Sequence, residues 1–241
     1  LMMDENATRY GAVETREEGR RFAAFLEQHK GEYDGVILSL PNFGDENGAI
    51  AALQDCGVPI LIQAYPDEFG KMDFQHRRDA FCGKFSIMDV FYQYNLPFTV
   101  FKPHVVHPSS EVFEQHLKWF AAVCRIVNKM KRFSVGAIGA RTTPFKTVRF
   151  DELTLQKYGI TTETFDLSEV IHRVKNMKTN TDRFKDKCEA LKNFTDWTGV
   201  PEEKFETLAK LSLVVDDIID EYRLDSVALR CWEELQRVLG V

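Results

Sequence analysis

Apolar residues recur along this chain in two alternating rhythms. Short apolar runs bounded by turn residues read as strands, and apolar positions spaced by three and four read as helices. The runs are 36–40, 59–64, 98–101, 134–139, 161–166 and 225–230. Between and around them, the spacing predicts helices over 12–29, 47–56, 77–94, 110–131, 151–158, 167–174, 178–194, 201–222 and 232–239. Phe22, Phe25 and Leu26 share one face of the first helix. Val112, Phe113, Leu117, Phe120, Cys124 and Val127 form an apolar stripe on helix 110–131. Asp45 or Asn47 is the expected N-cap of helix 47–56. Gly159 is an expected C-cap, and Pro201 the expected first residue of its helix. Strands alternating with helices predict an α/β fold: two consecutive three-layer, Rossmann-like domains with mainly parallel sheets. The border falls near Lys131 to Phe133, giving an N-terminal domain over 1–132 and a second over 133–241.

Composition narrows the class. Of 241 residues, 44% are apolar and 28% charged, the balance of an ordinary globular protein. The net charge of -6 and the lack of a basic run argue against a nucleic-acid partner. No apolar run reaches the roughly 20 residues of a membrane helix, so no membrane partner is expected. Five scattered cysteines without a CxxC pair, and an N-terminus unlike a signal peptide, suggest reduced thiols and a cytoplasmic location. Leu1 in place of an initiator Met, and Gly240-Val241 after the last helix, suggest a fragment of a longer polypeptide.

Candidate chemistry concentrates at strand exits, where open α/β sheets bind ligands. The first is Pro41-Asn-Phe-Gly-Asp-Glu46, after strand 36–40. Gly136-Ala-Ile-Gly139-Ala-Arg141 follows a strand too, but two glycines at the wrong spacing and Pro144 do not make a dinucleotide fingerprint. Arg141, Thr142 and Thr143 remain available to a ligand or a subunit boundary. His104 and His107 look like a metal pair, yet Pro103 and Pro108 bracket them and no acid stands nearby, so a structured turn is the simpler reading. The acids Asp216, Asp217, Asp220 and Glu221 fit a solvated helix face. The densest run is His76-Arg-Arg-Asp-Ala-Phe-Cys-Gly-Lys84. Arg offers a planar fork to ligand oxygens and Gly a close backbone approach. A helix start capped by Asp79, with salt-bridged arginines, accounts for the same residues. Cys82 could be a nucleophile, but a buried thiol is the default expectation.

These loops, in this order, resemble the L-fucose isomerase and L-arabinose isomerase superfamily, and its shorter fucose-isomerase-like members most. The residues that carry the resemblance are Asp34-Gly-Val-Ile-Leu-Ser-Leu-Pro-Asn-Phe-Gly-Asp-Glu46, Arg78-Asp-Ala-Phe-Cys-Gly83, Gly136 to Arg141, Phe150-Asp-Glu-Leu153, Tyr158-Gly-Ile160 and Val227-Ala-Leu-Arg-Cys-Trp232. The resemblance implies an aldose–ketose isomerase acting through an enediol, with a divalent metal such as Mn²⁺ polarising the sugar oxygens and acids or bases moving the proton. It implies a homo-oligomer in which the N-terminal domain covers a neighbour's sugar site. It makes Arg78, Asp79, Phe81, Cys82 and Gly83 substrate-cap positions, with Arg141 and Thr142 as further contacts. Phe81 stands where a smaller or polar residue is common in the family, which bears on the choice of sugar. The family's metal ligands lie mostly beyond the Arg-Cys-Trp strand, so none is expected in this chain. On this reading, the 241 residues are the first two domains and do not isomerise alone. The competing reading is a non-catalytic two-domain sugar-binding or regulatory module.

Overall fold

The computed structural model describes residues 1–4 and 6–241. The chain divides into two compact units, Leu1–Lys129 and Met130–Val241, and both are α/β with parallel strands.

In unit 1, α1 (Arg16–Gln28) is followed by β1 (Val36–Leu40), α2 (Glu46–Leu53), β2 (Ile60–Ala64), α3 (Ala80–Gln93) and α4 (Glu111–Met130). β1 and β2 pair in parallel from Val36 opposite Ile60 to Leu40 opposite Ala64. Every residue of β2 is buried, as its continuous apolar run demands of a strand covered on both faces. Ile60, Ile62 and Ala64 join a core with Leu26, Ile50, Ile87 and Phe91. Leu61 packs instead with Phe113, Phe120 and Cys124 of α4. Residues alternate across a strand, so β2 feeds two cores.

Local chemistry explains where these elements begin. α1 starts at Arg16, later than residue 12, because Thr15 and Glu18 form a reciprocal capping box. Asp45 is the cap of α2 and accepts from Gly48 N at 2.7 Å. α3 begins at Ala80, not 77, because Asp79 adopts a left-handed conformation with φ 52°. The expected strand at 98–101 shrinks to a single parallel bridge, Leu61 with Thr99, and a second bridge joins Ala64 to Val105 further on. Pro103, between them, has no N–H for a ladder.

In unit 2, β3 (Phe133–Ile138) lies between β4 (Ile160–Phe165) and β5 (Ser226–Leu229). The helices are α5 (Glu152–Lys157), α6 (Leu167–Asn176), α7 (Asp182–Phe194), α8 (Glu202–Tyr222) and α9 (Glu234–Val238). The core joins Ile138 and Phe165 to Val170, Val174, Val214 and Ile218. α5 buries no residue. Pro201 is the residue before α8, not its first turn, with extended backbone at ψ 138°. The acidic run on α8 binds neighbouring helices: Asp217 pairs with Arg183, Asp216 with Lys187 at 2.6 Å, and Glu221 with Arg173 at 2.8 Å. No helix among the described residues is long and apolar enough to cross a membrane. None of the five cysteines is in a disulfide.

Candidate functional site

Three loops of unit 1 meet at the carboxyl edge of its parallel strands. They are the exit of β1 (41–45), the exit of β2 (65–79) and the segment 102–108. Backbone bonds join them to the sheet: Tyr65 N donates to Leu40 O at 3.0 Å, and Val106 N to Ala64 O at 2.9 Å. Buried Gln63 braces the same edge, accepting from Ser39 Oγ and donating to Val106 O, both at 2.6 Å.

The β2 exit is organised around Asp67 and Arg78. One Asp67 carboxylate oxygen accepts the backbone N–H groups of Arg78, at 2.8 Å, and Asp79, at 3.3 Å. The Arg78 guanidinium donates to Pro41 O at 3.1 Å and to Glu68 Oε1 at 2.9 Å, and lies 5.4 Å from the Tyr65 ring centre. Glu68 also receives Lys71. Lys71 first, and Arg78 second, hold its carboxyl below the ordinary range. Asp79 does not cap α3 as expected: its side chain bonds no helix N–H and takes Arg77 at 2.8 Å instead. Its left-handed backbone, tolerated by Asp better than by most residues, turns the chain into α3.

Gly83 fixes how close α3 comes to the β1 exit. A Cβ there would lie 1.6 Å from the Phe43 carbonyl oxygen. Phe81 is 52% exposed and its ring lies 6.3 Å from that of His104. Cys82 is exposed rather than buried as expected, and no hydrogen bond among the described residues reaches its thiol. His107 packs edge-on against Tyr65 at 5.4 Å, and its Nδ1 accepts from Ser109 N at 3.2 Å. The two histidines of this segment thus contact different aromatic rings.

Lys84 closes the dense run from His76 but is not among the expected cap positions. It is 2% exposed, and its ammonium donates to His104 O at 2.8 Å. Burial pushes it down to about 8. No carboxylate among the described residues pairs with it. The signal was in the spacing: Ala80, Lys84, Ile87 and Phe91 form one buried stripe of α3, with a lysine at a core position. Asp67, Glu68 and Tyr65 carried no such signal, because their roles arise only when separate loops meet.

Arg78, Asp79, Phe81, Cys82 and Gly83 therefore lie together, while Arg141 and Thr142 belong to unit 2. The Arg141 guanidinium donates to the carbonyls of Thr142, Thr143 and Phe145, each at 3.2 Å, and so closes its own loop. Gly139 provides the turn with φ 82°. No group of three His, Cys, Asp or Glu side chains that could hold a metal occurs among the described residues. What the unit 1 edge offers is binding chemistry: a partly engaged guanidinium, a half-exposed aromatic ring and an exposed thiol beside a close backbone approach.

Residues 1–131 match the family model for the fucose/sulfoquinovose isomerase N-terminal domain, a match that covers more than half of the chain. A search of curated proteins finds no match.

Proposed function

Because the chain belongs to the fucose/sulfoquinovose isomerase family, we propose that it acts as part of an aldose–ketose isomerase, as the portion that covers the sugar. The family match over 1–131 carries this reading, since it spans the whole Arg78–Gly83 segment. In it, Arg78 presents its fork to sugar oxygens and Phe81 lays its ring against the C–H face of the sugar. Gly83 lets backbone approach closely, and Asp79 and Cys82 line the same edge. Arg141 and Thr142 of unit 2 provide a second set of contacts.

The reaction moves a proton between adjacent sugar carbons through an enediol. We assign the metal expected for it, Mn²⁺, to ligands outside this chain, and the chain's own groups bind and orient. We infer a homo-oligomer, with unit 1 covering a sugar held by a neighbouring copy. The exposed side chains of Phe69, Phe74 and Phe85 support such a contact. We infer a cytoplasmic location from the scattered, unbridged cysteines.

The test is nuclear magnetic resonance of the purified 241-residue chain titrated with L-fucose, followed by incubation with Mn²⁺ and aldoses. Saturable shifts at Arg78 to Gly83, lost in Arg78→Ala, and no turnover by the chain alone are expected. Absence of shifts at that segment sinks the covering role. Turnover by the chain alone sinks the placement of the metal ligands elsewhere.

A further inference from the structure

α1, α2 and α3 enclose a cleft of about 280 Å³ on unit 1. Its chemistry is not used by the Arg78–Gly83 edge. Along α2, Asn47, Ile50, Ala51 and Gln54 recur at near-helical spacing and form one side. Arg16 and Arg20, one turn apart on α1, line it as well, as do Val90 and Tyr94 of α3. The frame is rigid for a steric reason. α1 meets α2 at Gly19, where a Cβ would lie 2.4 Å from Gly48 O and 2.9 Å from Ala51 Cβ. The two helices are therefore held at backbone contact, and their side chains project from a fixed base.

Several polar groups of this cleft are unspent, although the Gln54 amide donates to Asp55 at 3.1 Å. Among the described residues, no hydrogen bond or ion pair engages the side chains of Arg16, Asn47 or Tyr94. Arg20 is only 3.9 Å from Glu17, in an exposed pair that contributes little. The one carboxylate in the lining, Glu46, accepts from Ser86 Oγ. Two guanidiniums lining one cleft can each offer a planar fork to the oxygens of a phosphate or carboxylate. Amide side chains match hydroxyl groups, and an aromatic ring beside Ile50 and Val90 accepts the C–H face of a small ring. The volume is close to the lower end for small-molecule sites.

We propose that this cleft binds a small phosphorylated polyol of pentose size, with the phosphate on Arg16 and Arg20 and the hydroxylated body between Asn47 and Tyr94. Isothermal titration of the full chain with ribose 5-phosphate, inorganic phosphate and ribose tests it. Saturable binding of ribose 5-phosphate is expected, weaker binding of inorganic phosphate, and none of ribose. In R16A/R20A the affinity for ribose 5-phosphate should fall at least ~10-fold, and Tyr94→Leu should lower it without touching inorganic phosphate. Both arginines are exposed, so thermal melting should be unchanged in the double variant. No saturable binding of ribose 5-phosphate up to ~10 mM overturns the proposal, a limit corresponding to less than about 3 kcal/mol of binding. Affinity unchanged in R16A/R20A overturns the location. Inorganic phosphate binding as tightly as ribose 5-phosphate overturns the ligand class.

Discussion

One strand-exit loop in each unit holds an arginine, Arg78 after β2 and Arg141 after β3, and the two are used in opposite ways. Arg78 of unit 1 joins the exits of two strands, reaching Pro41 O from a position 37 residues away and Glu68 in its own loop. Arg141 of unit 2 reaches no further than Phe145 O, four residues on. The sheets differ in the same sense. β2 is buried along its whole length between two cores. β4 leaves Thr161, Glu163 and Thr164 exposed and buries Phe165 at its end. A guanidinium that braces separate segments becomes part of the architecture of an edge, whereas one that closes its own loop leaves the rest of the unit indifferent to it.

Glycine substitution should separate the two units most strongly. Gly83→Ala sets a methyl against backbone at Phe43, which cannot give way, and should cost about 3 kcal/mol or more. Gly136→Ala meets the flexible end of Leu224 at 2.5 Å and should cost about 1 kcal/mol. Urea unfolding of the full chain, followed by amide exchange to separate the units, reads both. The reverse order would show that unit 1's edge is looser than its geometry.

Lys84 gives unit 1 a pH dependence on the alkaline side. Its folded pKa lies below the ordinary lysine value of 10.5, at about 8. The folded protein therefore binds fewer protons than the unfolded chain between these values. The burial cost is fully present below about 8 and fades as pH rises toward 10.5, so stability should climb across that window. Lys84→Met removes the contribution. The difference between wild-type and variant melting temperatures should narrow or reverse from pH 7 to pH 10, and a constant difference would refute it.

Arg78→Ala should lower stability by about 1 kcal/mol through the lost Pro41 bond and the packing on Tyr65. Arg141→Ala should move the urea midpoint less, because its bonds stay within one exposed loop. Equal shifts would erase the contrast between the two arginines. The smallest expected effect is a similarity. Asp45 caps α2 and Asp166 caps α6, each accepting a backbone N–H at 2.7 Å. Asp45→Ala should cost about 1 kcal/mol, and Asp166→Ala should shift the midpoint by a comparable amount, because a cap depends on its own turn.

Much of the fold was legible in the sequence because it rests on such local rules. The run Val36–Leu40 is a strand at those bounds, and Asp45 is a cap, since a short polar side chain three residues before Gly48 satisfies its N–H wherever the helix lies. The parallel pairing followed from strands and helices in alternation. Elements were misjudged where a distant partner intervenes. Residues 98–101 have a strand's composition, yet only Thr99 among them bridges to β2, at Leu61. Asp79 has a cap's identity and position, yet Asp67 takes the N–H groups before it and Arg77 takes its carboxylate. The cap segment itself was visible as a dense run from His76 to Lys84, and its kinship as the order of several loops.

By itself, then, the sequence determined the α/β class, the order and approximate bounds of most elements, the Asp45 cap and the family that owns residues 1–131. These depend on periodicity and on contacts within a few residues. Only the tertiary structure decided which polar groups are buried, which are spent and which are left to a ligand. Lys84 sits in a core stripe because α3 packs there and His104 O is within its reach. Arg78 and Arg141 carry the same guanidinium, and only the segments that the fold brings beside them set their different roles. Long polar side chains take partners by position in space, and no local rule fixes that.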